Sequence, residues 1–114
     1  MRLFRRGSSR APQPTRAERD EAERSLIDWV EVRRGVEVFV EPRTSVTGSS
    51  MVLVAHDGEF TRRPVPDPAA AAAFARAHAL PIYDASVVGY PQRMRDYTRR
   101  QTLERKRAER DRLG

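Results

Sequence analysis

VEVFVEPRTSVTGSSMVLVAHDGEFTRRPV, residues 36–65, decides how this chain folds. Val36, Val38 and Val40 alternate with Glu37, Phe39 and Glu41, which is the two-residue period of a strand, and Pro42 ends that strand or marks an edge. The polar loop RTSVTGSS follows. MVLVAH is then apolar on both faces, which predicts a central strand. Asp57-Gly58 is a tight hairpin signal, since both central residues of a type I′ turn need positive φ, so EFTRRPV is expected to return antiparallel as a third strand.

Working outward from these strands, Thr15 and Glu18 form a capping box that opens an N-terminal helix. Ala22, Leu26, Trp29, Val30 and Val32 fall at three- and four-residue steps along one side of it, and Gly35 is read as its stop. Downstream, Asp67 is an N-cap and Pro68 a first helical residue, opening an alanine-rich helix that ends before Pro81. IYDASVV reads as a fourth strand broken by Gly89, and Pro91 is placed to begin a last helix. The expected class is α+β, in the order αβββαβ, with a mainly antiparallel sheet, two packing helices and a charged C-terminal helix. Residues 1–14 are expected to be a disordered basic tail, 15–91 the α+β domain, and 92–114 a basic helix or extension.

A chain of 114 residues with 39% hydrophobic content holds one small domain. The absence of cysteine excludes a disulfide framework and a thiolate nucleophile or metal site. No stretch has the apolar run of a signal peptide or a membrane span, so a soluble cytoplasmic protein with no membrane partner is expected. Of the 22 basic residues only Lys106 is lysine, a skew that points to a GC-rich genome. The net charge of +6 is unevenly divided: residues 1–14 carry four bases and no acid, 36–91 four bases against six acids, and 92–114 nine against four. Basic extensions on a nearly neutral body suggest tails that reach a polyanion, or tails that keep a small domain in solution.

The densest candidate site is VVGYPQRMRDYTRR, residues 87–100. Tyr90 and Tyr97 with Arg93, Arg95, Arg99 and Arg100 could stack on bases and hold phosphates. Equally, Met94 and Tyr97 lie three apart and could dock the helix on the sheet. Arg105, Lys106 and Arg107 extend the basic series in ERKRAERDRLG, and Arg5 and Arg6 supply it in the N-terminal tail. The last stretch is polar on every face and is expected to be a solvated extension or an element ordered by a partner. His56 and His78 are not at metal-ligand spacing, and no Gly-x-Ser-x-Gly elbow or phosphate-binding glycine loop occurs. No catalytic residue, metal or cofactor is therefore expected.

Two topologies share part of the predicted order. The double-stranded-RNA-binding domain clamps phosphates from the start of its second helix, where this chain has DPAAAAAF and no donor. The stretch from Gly35 through MVLVAHDGEF looks like the small nucleases related to Holliday-junction resolvases. Here Met51 and Val52 stand where a metal-binding Asp would be, and Glu59 to Arg62 include no lysine, so that resemblance implies a fold without its catalytic centre.

The run RRGVEVFVEPRTSVTGSSMVLVAHDGEFTRRPV with PIYD and VGYPQRMRDY resembles a family of small actinobacterial proteins of unassigned activity that begin with a short basic LFRR. The resemblance covers roughly residues 33–97, with GYPQRMRDY its most specific piece. Some members carry an oxidoreductase label, which implies an oxidoreductase subunit as a minor alternative. The expected function is a non-catalytic accessory protein that binds RNA or a ribonucleoprotein through its basic ends. The alternative is a protein-interaction or homodimerisation module presenting Tyr90, Tyr97 and the hairpin.

Overall fold

The computed structural model describes residues 13–114. The expected tail of residues 1–14 thus falls almost wholly outside the described residues. The described chain forms two compact units, one ending at Val32 and the other spanning Arg33–Gly114.

The first unit contains α1, Arg16–Glu31. Its capping box forms as read: Glu18 N–H donates to Thr15 Oγ1 at 3.1 Å, and Thr15 N–H donates to Glu18 Oε1 at 2.8 Å. Two orphan donors of the first turn are satisfied in this way. Leu26 is buried and Trp29 and Val30 are half-buried, whereas Ala22 and Val32 are exposed. The helix ends at Glu31 with Val32 as its cap, so Gly35 is not its stop. Gly35, at φ 60, instead turns the chain into the first strand of the second unit.

That unit is built on β1 (Glu37–Glu41), β2 (Ser50–Val54), β3 (Phe60–Pro64) and β4 (Ile82–Asp84), with α2 (Pro68–Ala77), α3 (Ala85–Val88) and α4 (Gln92–Leu113). The sheet order is β3-β2-β1-β4. β1 and β3 both run antiparallel to β2, with Phe39 opposite Val52 and Val52 opposite Arg62. β4 runs parallel to β1, with Phe39 beside Tyr83. The sheet is therefore mixed, which corrects the mainly antiparallel expectation. The cause is the α2 connection, long enough to carry the chain from one edge of the sheet to the other and bring β4 in parallel.

Three local readings also change. The fourth strand is only three residues long, because Asp84 accepts hydrogen bonds from Ser86 N–H at 2.9 Å and from Ser86 Oγ, capping α3 where more strand was expected. The β2–β3 turn is not type I′: Gly58 N–H donates to the Ala55 carbonyl at 3.0 Å, and only Gly58, at φ 95, takes a positive φ. It is a type I turn followed by a left-handed glycine. Finally, Phe39 is as buried as Val38 and Val40, although the alternation put it with the two glutamates. Both faces of β1 are covered.

α2 lies against β1 and β2 and buries Ala71 and Ala75. It is capped by Asp67, whose side chain accepts from Ala70 N–H at 2.9 Å. Its C-terminus closes with Leu80 N–H on the Ala75 carbonyl at 2.8 Å and Ala79 N–H on the Arg76 carbonyl at 3.3 Å. This two-bond closure puts its terminal residue, Ala79, in the left-handed region at φ 55. No helix among the described residues is long and apolar enough to cross a membrane.

Candidate nucleic-acid interface

On one face of the sheet Phe39, Val52 and Val54 form a buried cluster, against which Phe60, Ala85, Tyr90 and Met94 pack. Tyr90 and Met94 bring the first turn of α4 onto this face. Phe39 is flanked by two rings, Tyr83 at 5.3 Å and Tyr90 at 5.9 Å between centroids.

The two carboxylates on either side of Phe39 are each held by an arginine and a tyrosine. Glu37 accepts from Arg93 and, at 3.3 Å, from the Tyr83 hydroxyl. Glu41 accepts two bonds from Arg62, each 2.9 Å, and one from the Tyr90 hydroxyl. The contact to Glu41 pushes the Arg62 pKa further up. Four residues of strand separate the two glutamates by roughly 13 Å, too far for them to share a proton or a cation. Each pairs with one arginine and accepts one phenolic hydroxyl, and so acts as an anchor. No group of three or more acidic or histidine side chains among the described residues could hold a metal ion.

A second set of contacts fixes α4 to the β2–β3 turn. Arg93 Nε donates to the Ala55 carbonyl at 2.9 Å, and Arg100, two turns along the helix, donates to the Asp57 carbonyl at 2.9 Å. The Arg100 guanidinium also lies 5.8 Å from the Tyr97 ring centroid. Beside the turn Arg33 and Glu59 form a two-bond ion pair at 2.7 and 3.1 Å, which raises the Arg33 pKa.

The arginines of YPQRMRDYTRR thus separate into two kinds. Arg93 and Arg100 point back to the domain. Arg95 and Arg99 point away from Met94 and Tyr97 and are held by near neighbours: Arg95 donates to Gln92 Oε1 at 2.6 and 3.1 Å and to the Tyr90 carbonyl at 3.4 Å, and Arg99 pairs with Asp96 at 3.2 Å. Tyr90 and Tyr97 are half-buried and used within the chain, so the structure does not bring them together with the outward arginines. Arg5 and Arg6 lie outside the described residues.

Beyond Thr102 every residue of α4 is exposed, so the helix continues past the sheet as a solvated rod. At 3.6 residues per turn, Arg95, Arg99, Lys106 and Arg110 fall within about 60° of arc on the side away from Met94 and Tyr97. Leu103 and Leu113 lie on the same stripe. Arg107 sits to one flank of it and Arg105 to the other, about 60° and 80° beyond its edges. The acids bordering the stripe are engaged, Asp96 with Gln92 and Arg99, and Glu109 with Arg112 at 2.9 Å. The Gln92 contact is the main cause that holds the Asp96 carboxyl below the usual aspartate range. Reading by dense basic triplets selects Arg105 and Arg107 and misses Arg110; the signal for Arg110 is the four-seven-four spacing from Arg95.

Comparisons with family models, with curated proteins and with solved structures find no match to this chain.

Proposed function

We propose that this protein is a non-catalytic accessory factor that binds RNA, alone or within a ribonucleoprotein, through the outward face of α4. The observation that carries this reading is the row Arg95, Arg99, Lys106 and Arg110 on the side of the helix turned away from its own domain. Beyond Thr102 α4 is exposed on every side, and an exposed helix side that repeats a positive charge suits a regular polyanion. Such a row does not suit a second copy of itself, because pairing the stripes would set arginine and lysine against arginine and lysine. The half-buried Tyr90 and Tyr97 and the hairpin already serve the docking of α4.

The test is binding to a fluorescein-labelled structured RNA across a salt series. Four phosphate contacts give log affinity a slope of about −3 to −4 against log salt. Replacing Arg99, Lys106 and Arg110 by Gln should remove most of that slope. Affinity that is insensitive to salt, or unchanged in the triple variant, would overturn the reading.

A further inference from the structure

The basic face selects among kinds of RNA. We infer that its ligand is double-stranded RNA, an inference that rests on the phosphate-binding reading above. Proteins that hold single strands pair a basic groove with aromatic platforms on which unstacked bases lie. The outward face of α4 has the charge and lacks the platform: from Thr98 to Gly114 there is no aromatic residue. Tyr97 lies against the hairpin, its Cβ 2.9 Å from where a side chain on Gly58 would begin, with Arg100 beside its ring. Tyr90 is packed on Phe39 and bonded to Glu41.

Among the described residues Tyr83 is the one exposed phenylalanine, tyrosine or tryptophan, and the other exposed ring, His56, sits in the β2–β3 turn away from the α4 stripe. Tyr83 is unsuited to a base, since its hydroxyl donates to Glu37 and its ring stacks on Phe39, between the carboxylates of Glu37 and Glu41.

The geometry of the cations favours a rigid partner. Arg95 with Arg99, and Lys106 with Arg110, are pairs with their members one turn apart, and the two pairs are centred about 16 Å apart along the axis. A straight helix holds that spacing fixed, as a duplex holds its phosphates on the two walls of a groove. Meeting of two preformed surfaces avoids the ordering that a flexible strand would require. The stripe also carries no Asn and only Gln92 as an amide, which is itself bonded to Asp96 and Arg95, so the amide pairing that reads adenine is not built in. Recognition by backbone and shape is how duplex RNA is generally read.

The experiment compares the full chain's binding to a 20-base-pair RNA duplex and to each of its strands, chosen not to self-pair, at the same salt concentrations. The expected result is affinity for the duplex at least about ten-fold above either strand, the strands lacking stacking partners. Lys106→Gln with Arg110→Gln should make the duplex slope shallower by about 1.8. Strands bound as tightly as the duplex would overturn this inference while leaving the phosphate-binding reading standing. Binding of neither would overturn both.

Discussion

The carbonyl oxygen of Arg93 lies 1.9 Å from the position a β-carbon on Gly58 would take. The left-handed residue of the β2–β3 turn is therefore also the floor on which the first turn of α4 rests. Glycine meets two demands there, a positive φ and the close approach of another backbone. Gly58→Ala should lose about 2–5 kcal/mol, combining left-handed strain with a backbone clash. Urea unfolding measures the loss; a change under about 0.5 kcal/mol would mean that α4 is not seated on the turn.

Tyr90→Phe keeps the ring against Phe39 and removes only the hydroxyl donated to Glu41. Because Glu41 keeps Arg62, stability should fall by about 1 kcal/mol. RNA affinity should not change, whereas a base-stacking role for the GYPQRMRDY segment would require Tyr90→Ala to weaken RNA binding more than it weakens the fold.

Removing residues 104–114 deletes side chains that are exposed throughout. The melting temperature should move by no more than about 2 °C, as for surface changes that disturb no packing. RNA binding should fall with the loss of Lys106 and Arg110, and the salt slope with it. Calorimetry and fluorescence anisotropy on the same preparation separate the two effects.

Ala79 closes α2 in a conformation that costs a residue with a β-carbon about 1–2 kcal/mol. Ala79→Gly should therefore stabilise the domain, by about 0.5–1 kcal/mol once glycine's greater freedom in the unfolded chain is subtracted. A lowered melting temperature would show that the helix end relaxes to another cap.

Asp96 is held ionised mainly by Gln92, then by Arg99 and Arg100. Its folded pKa lies below its unfolded one, so its contribution is present above the ordinary aspartate value of about 3.9 and is lost as pH falls through the folded value. Carbon-detected NMR titration should find its midpoint below that of a model peptide. Gln92→Ala should move the midpoint upward; an unmoved midpoint would assign the effect to the arginines.

Strand and helix positions were largely legible because local chemistry dictates them: Thr15 with Glu18, Asp67 with Pro68, and the alternation through VEVFVE. What escaped depended on distant partners. Nothing near Ile82 announces that β4 will lie parallel to β1, since that follows from where α2 delivers the chain. Phe39 read as an outward residue between two glutamates until α4 covered it. The same holds for Arg93 and Arg100: their partners are Glu37 and the carbonyls of Ala55 and Asp57, 38 to 56 residues earlier in the chain. The outward stripe is present in the sequence as spacing, but the denser run Arg105 to Arg107 masks that spacing.

The docked turns of α4 bear on its solvated end in one more way. Starting a helix is the unfavourable event, fixing several residues for a single hydrogen bond, whereas each further residue adds nearly as much as it costs. Where Arg93, Met94 and Tyr97 meet the sheet and the hairpin, that first turn is already made. The exposed half has only to propagate, which lets a segment with no apolar face persist as a rod in water. Its order is thus borrowed from the β2–β3 turn, and loosening that turn would melt the proposed binding surface several turns away without touching one of its charges.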